Sequence, residues 1–237
     1  MNKPLVIAHR GVTENNKHEN TICAFKEAIE MNLDAIELDI HRTSDGVFVV
    51  HHNPDVNEIL ISTLKFDELK NIELKYSIPT IDEVIDVCTN NIYLDIELKE
   101  EGYEIEFVKH ILKFISYDQF SIRSFCDKSI KIIKKYDKRI RTGLLLGVGK
   151  PKYGFITRLS ELFPLFRIIN SKCDFVSPHY LLLKFGYVKR MHILKKPVIT
   201  WTVNTKEIMV FNIVNKVDAI ITDKPSLLKE EIKKMNL

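Results

Sequence analysis

The 237-residue chain reads as an α/β protein of the (β/α)8 barrel class, a TIM barrel with a short insertion after the second strand region. Three observations point there. Short apolar, β-branched bursts recur along the chain, and most are separated by segments of helical periodicity, which is the pattern of repeated parallel βα units. About eight such units fit one domain of this length, which favours a closed barrel over an open sheet. Ionisable residues gather at one end of the bursts, as they do where functional groups sit at the C-terminal ends of barrel strands. An open doubly wound sheet is the alternative, but no Gly-rich dinucleotide turn follows the first burst.

Residues 5–8 (LVIA) form the first strand and end at His9 and Arg10. Residues 21–31 put Ile22, Phe25, Ala28 and Ile29 on one helical face. The stretch around which the chain is organised follows at residues 34–52, DAIELDIHRTSDGVFVVHH. Ile36, Leu38 and Ile40 alternate with Glu37, Asp39 and His41, so the two acids share a face. Neighbouring carboxylates repel, and a hard divalent cation held by oxygen ligands is the simplest way to keep both ionised. His41, on the same face, is expected to be structural. Ser44-Asp45-Gly46 makes a turn, and residues 47–50 form a second strand that ends in His51 and His52.

Between His52 and Asn91 the pattern loosens. Asn53-Pro54-Asp55 is a turn signal, residues 62–73 a short helix, and residues 78–88 the start of a longer one, with Thr80 and Glu83 spaced as a capping box. Residues of about 53–90 are therefore expected to lie over the barrel mouth as an insertion, with 1–237 a single domain. Further strands are expected at 92–96, with Glu97 and Lys99 at its end, and at 120–124, 141–146, 175–177, 198–203 and 219–222. Asn204 and Asp223 close the last two. Helices are expected at 128–136, 181–194, 206–214 and 226–235. The glycine- and lysine-containing loop GVGKPKYG, with Lys150 and Lys152, does not match a P-loop. The segment after it reads as a barrel helix interrupted by Pro164. Its apolar and basic residues also suit peripheral contact with a membrane surface.

Composition excludes several classes. Hydrophobic residues at 45% and charged ones at 28% are ordinary for a globular protein, and a net charge of +3 is too small to argue for nucleic acid. Cys23, Cys88, Cys126 and Cys173 form no CxxC pair, so they read as buried free thiols of a reducing compartment. The N-terminal apolar run is too short for a signal peptide, and no run approaches the ~18 residues of a membrane span. A cytoplasmic location is the expectation.

Together these groups describe a chemistry. Glu37, Asp39 and Glu97 could hold one Mg²⁺ or Ca²⁺. Hard cations prefer oxygen, which frees His9 and His51 for proton transfer. Arg10 offers a bidentate fork and Lys99 a point charge for a phosphate. A metal, two cations and an acid/base pair suit cleavage of a phosphodiester. Asp95, on the face of Glu97, is a ligand, a supporting partner or a core-end polar residue, and stays outside the ligand set. His18, His110, His179 and His192 have no assigned role, His179 being the one at a strand end.

The chain also resembles the glycerophosphodiester phosphodiesterases. The resemblance runs through Ala8-His9-Arg10-Gly11, Glu19-Asn20-Thr21, Ala24-Phe25, IELDIHRTSDGVFVVHH, the IPTIDEV helix, Asp95-Ile96-Glu97-Leu98-Lys99, Ser124-Phe125, TWTVN and IITDKP. It spans nearly the whole chain in order. It implies a (β/α)8 barrel that hydrolyses a small-molecule glycerophosphodiester to glycerol 3-phosphate and an alcohol. By the same resemblance His9 and His51 match the acid/base pair, Glu37, Asp39 and Glu97 the metal ligands, and Arg10 and Lys99 the phosphate-binding positions. Direct attack by water and attack by a glycerol hydroxyl, through a cyclic phosphate, both remain open. The chain departs from the family pattern in reading His51-His52 where His-Asp is usual, and His18 where a proline is usual. Its insertion looks short, and a more open mouth would admit lysophospholipids in a lysophospholipase D-type reaction. Two other readings stand beside these: a barrel that binds phosphodiesters without turnover, and a metal-dependent barrel acting on a cyclic phosphate or sphingolipid headgroup.

Overall fold

In the computed structural model, which describes residues 3–14, 17–147 and 154–237, the apolar bursts close into a ring of parallel strands. Its members are β1 (Leu5–Ala8), β2 (Ala35–Arg42), β3 (Tyr93–Leu98), β4 (Phe120–Ser124), β5 (Arg141–Leu146), β6 (Phe175–Pro178), β7 (Ile199–Thr200) and β8 (Ala219–Thr222). Seven seams are regular parallel ladders, including β8 to β1. The eighth, β6 to β7, is held by isolated bridges Val176–Val198 and His179–Trp201. Pro178 and Pro197 lie in that seam and have no N–H to donate, which is why it is thin. They still accept, from Trp201 at 3.3 Å and Val176 at 3.0 Å. The result is a nearly closed (β/α)8 barrel, as the βα alternation predicts.

A helix or helix pair follows each strand. Thr21 caps Ile22–Glu30 by accepting from the Ala24 N–H, and Thr80 with Glu83 forms the expected capping box on Ile81–Cys88. Pro164 starts the second half of a split helix, Gly154–Leu162 and Leu165–Ser171. The helix expected from residue 181 begins only at Tyr187, because Phe185 and Gly186 take left-handed φ values of 53° and 65°. The helix Glu104–Ile111 has no counterpart in the sequence reading. Its Glu104 is buried, where it accepts a hydrogen bond from Ser129 at 2.6 Å, and so breaks the apolar pattern. Phe48–Val50 pairs antiparallel with the end of β2.

After His52 the chain forms a small hairpin, Asp55–Val56 with Ile59–Leu60, and the helix Phe66–Lys70. This piece has its own core of Val49, Val56, Ile61 and Leu69. Ile81–Cys88 belongs instead to the ring of helices and packs beside Ile22–Glu30. Lys150 and Lys152 lie outside the described residues. Of the four cysteines expected to be buried, Cys88 and Cys173 are, whereas Cys126 is half-buried and Cys23, on the outer side of the first helix, is exposed.

Alternate positions of each strand divide two cores. Ala8, Ile36, Leu38, Ile40 and Val176 face the helices. Ile7, Ala35, Phe175, Ile199, Ala219 and Ile221 fill the lower barrel interior. A Cβ at Gly143 would lie 2.1 Å from the Phe175 ring, so only glycine lets that ring cross the barrel. Above this apolar layer the interior turns polar.

Candidate active site

The parallel register of β2 and β3 sets Asp39 beside Glu97 and Glu37 beside Asp95. One oxygen from each of Glu37, Asp39 and Glu97 lies within 4.8 Å of the others, and all three side chains are buried. Lys99 Nζ sits 3.0 Å from Glu97 and 3.2 Å from Asp39. Arg10 Nε is 3.2 Å from Asp39, and the Asn20 amide donates to Asp39 at 2.9 Å. Burial works against the charge on Asp39, but Lys99 and Arg10 outweigh it and hold its carboxyl below the usual range. Glu97 goes the other way. Burial and the neighbouring Asp39 push its pKa up to about 7. A hard divalent cation fits this donor set, because three carboxylate oxygens converge within the reach of one ion.

One level deeper, Arg123 on β4 is 2% exposed inside the barrel. Its guanidinium reaches Glu37 at 2.9 Å and Asp95 at 3.2 Å, and donates to Ser177 Oγ at 3.3 Å. Ser121 donates to Asp95 at 2.9 Å. Asp95 is therefore occupied by Arg123 and Ser121, outside the trio of converging oxygens. The sequence reading missed Arg123. The signal was present, since Ser121 and Arg123 are polar and alternate with the apolar, helix-facing Phe120 and Ile122.

The loop after β1 carries His9 and Arg10 onto the acids. Arg10, Gly11 and Asn20 have φ values of 56°, 83° and 55°, and the Asn20 N–H bonds the Arg10 carbonyl at 2.8 Å. Gly11 lies so close to the first helix that a Cβ would meet the Ala24 Cβ at 2.8 Å. This tight crossing turns the Arg10 N–H to Glu37 at 3.1 Å and its side chain to Asp39 and Glu19. His9 Nδ1 is 2.6 Å from Asp223, and its Nε2 lies 3.9 Å from Glu37. Asn204 donates to the other Asp223 oxygen at 2.5 Å. Burial opposes a charge on His9, but the bond to Asp223 and the field of Glu37 raise its pKa above the ordinary value.

A cleft of about 630 Å³ opens above, lined by His9, Arg10, His51, His52, Tyr76 and Asp223 among others. The His51 pKa is lowered, first by burial and then by His41. The His51 ring lies 6.3 Å from Tyr76 at an interplanar angle of 20°, and Tyr76 in turn stacks on His18 at 4.6 Å. His52 also faces this cleft. Burial and the charges of Arg10 and Lys99 lower its pKa, and its ring bonds the Asn53 side chain at 2.9 Å. His41 is buried between Glu100 and the His52 carbonyl, a structural position. His9, Arg10 and His51 thus share one cleft, with Lys99 bridging two of the acids beside it. Asp223 as partner of His9, and Tyr76 in the cleft wall, are visible only in three dimensions.

Comparison with known proteins identifies the family. The model of the glycerophosphoryl diester phosphodiesterase family matches residues 9–227. The chain belongs to this family. Among family relatives, a glycerophosphodiester phosphodiesterase of Caldanaerobacter subterraneus subsp. tengcongensis is 31% identical over 98% of this chain and 99% of its own length. A glycerophosphodiester phosphodiesterase from Parabacteroides distasonis shares the fold with a TM-score of 0.86 at 23% identity, covering 99% of this chain and 98% of that one. A phosphodiesterase from Oleispira antarctica, solved with the product sn-glycerol-3-phosphate, has a TM-score of 0.83 at 22% identity and covers 97% of both chains. The matched range takes in His9, His51 and His52, the three acids and Arg123.

Proposed function

We propose that this glycerophosphoryl diester phosphodiesterase family member hydrolyses glycerophosphodiesters to glycerol 3-phosphate and an alcohol. The observation that carries the reading is the placement, at the C-terminal end of the barrel, of His9, His51 and Arg10 in one cleft directly beside three buried carboxylates and Lys99. Residues 1–237 act as one barrel domain, supported by the β1–β8 ladder that ties the two ends of the chain together.

Glu37, Asp39 and Glu97 hold a divalent cation, for which magnesium and calcium are the candidates. Bound there, it supplies Lewis-acid stabilisation of charge on the phosphate oxygens. Arg10 and Lys99 exchange part of their pairing with the acids for non-bridging phosphate oxygens. His51, whose pKa is lowered, is suited to take the proton of the attacking hydroxyl. His9, whose pKa is raised and whose ring is held by Asp223, is suited to give a proton to the departing alkoxide. Protons balance over this step, which leaves His51 charged and His9 neutral, and exchange with solvent returns both histidines to their starting states.

The test is release of glycerol 3-phosphate from glycerophosphocholine. Activity should vanish with EDTA and return with Mg²⁺ or Ca²⁺ added separately, and His9→Ala or His51→Ala should lower kcat by about 10²–10⁴-fold. Binding of glycerophosphocholine without turnover would leave a non-catalytic barrel. One observation favours lysophospholipids as a second substrate. A cavity of about 620 Å³ lies at the same end of the barrel, with Leu162, Leu181, Leu182 and Trp201 in its wall, and could take an acyl chain. Choline release from lysophosphatidylcholine, run in parallel, decides it.

A further inference from the structure

The split helix after β5 exposes large apolar side chains in a repeated pattern. Phe155, Ile156 and Leu159 are 79%, 73% and 46% exposed, and sit at i, i+1 and i+4 of one helix. Leu165, Phe166 and Ile169 repeat that spacing on the next helix at 50%, 79% and 64%. In each set the first and second residues lie four and three positions before the third, so the three make one apolar stripe about 100° wide. The loop after β6 adds Leu181 and Phe185, at 58% and 75%. These pieces adjoin, because Arg158 and Leu162 of the first helix line one cavity with Leu181 and Lys184. An exposed apolar surface of this extent marks a contact site.

Charge identifies what it contacts. Residues 154–196 carry eight lysines and arginines against two acids, a net +6, while the rest of the chain carries 27 against 30, a net −3. Both acids of the segment are already paired, Glu161 with Arg158 and Asp174 with Lys134, each at 2.8 Å. Of the cations, Arg158 and Lys184 line the cavity beside the exposed apolar residues, and Arg190 donates to the Leu162 carbonyl at 2.9 Å. Amphipathic helices with basic flanks bind anionic lipid surfaces by this combination.

We propose that this face docks the protein on an anionic bilayer, with the C-terminal end of the barrel turned toward the lipid. Gly147, His179 and Trp201, which close β5, β6 and β7, line the cavity beside the face, so the docked side is also the side of the cleft. The docking is independent of which phosphodiester is hydrolysed.

The test is co-sedimentation of the full chain with vesicles of phosphatidylcholine alone and of phosphatidylcholine mixed equally with phosphatidylglycerol. Binding to the anionic vesicles is expected, weakened about tenfold or more by high salt and on neutral vesicles. The exposed double variant Phe155→Ser/Phe166→Ser and the charge variant Lys184→Glu/Lys189→Glu should each lose about tenfold in binding while keeping the wild-type thermal unfolding transition. Failure of the wild-type protein to bind anionic vesicles would overturn the proposal. So would unchanged binding by the folded serine variant, or a dimer in sedimentation equilibrium that Phe166→Ser disperses, which would assign the face to a second copy of the chain.

Discussion

At the scale of single residues, the two cleft histidines differ through their neighbours. Asp223 and Glu37 favour the charged form of His9, whereas burial and His41 disfavour that of His51. A rate that needs His51 neutral and His9 protonated is bell-shaped in pH, with its acid limb below the ordinary histidine value and its alkaline limb above it. Asp223→Asn removes a cause that raises the His9 pKa. The alkaline limb of kcat/KM should therefore move to lower pH while the acid limb stays, as a pH–rate profile of the variant would show. Glu97 makes a separate prediction for the metal-free protein. Its pKa is raised from 4.5 to about 7, so the stability due to its neutral form is complete below the lower value and lost as pH rises through the higher. A cation must displace that proton, so between these limits metal affinity should fall about tenfold per pH unit of acidification. Calorimetric titration of metal into the free protein across this range measures it, and a flat profile would exclude Glu97 as a ligand.

At the scale of elements, the loop from β1 to the first helix makes the site. Arg10 and Asn20 hold left-handed backbone, which Asn tolerates and Arg resists, at a cost on the order of 1–3 kcal/mol for such strain. The loop keeps that shape because Gly11 rests against Ala24 and the Val12 N–H bonds the Ala24 carbonyl at 3.0 Å. Gly11→Ala adds a Cβ where φ is +83° and the nearest carbon is 2.8 Å away. A loss of about 1–3 kcal/mol in urea unfolding is expected, and a larger fall in activity, since the same shift moves His9 and Arg10 off the acids. Sequence reasoning reached Arg10 and Gly11 through their motif. Their geometric purpose depends on the helix that Gly11 touches.

At the scale of the whole molecule, the barrel interior is an apolar floor beneath a charged layer. Arg123 is the pivot of that layer, balancing Glu37 and Asp95 from a fully buried position. Removing one partner of a buried network leaves uncompensated charge, so Arg123→Met should cost about 3–5 kcal/mol in chemical denaturation. The loss should shrink in acid, where Asp95, whose pKa burial already raises, takes up a proton. Equal destabilisation at both pH values would mean that packing, rather than charge, is what Arg123 supplies.

By itself the sequence determined the βα alternation, the acids of β2 on one face, the gathering of ionisable groups at strand ends, and the family. Each is a local property, carried by periodicity or by residues close in the chain. Only the tertiary structure decided which groups meet. Asp223 reaches His9 across 214 positions, and Asp39 reaches Glu97 through the register of β2 and β3. Arg123 reaches Glu37 because the ring closes. The start of the helix at Tyr187 and the hidden helix Glu104–Ile111 likewise turned on backbone and burial that periodicity does not carry. Pairing between distant strands is set by the hydrogen-bond register and the packed floor of the barrel, and both exist only once the chain has folded.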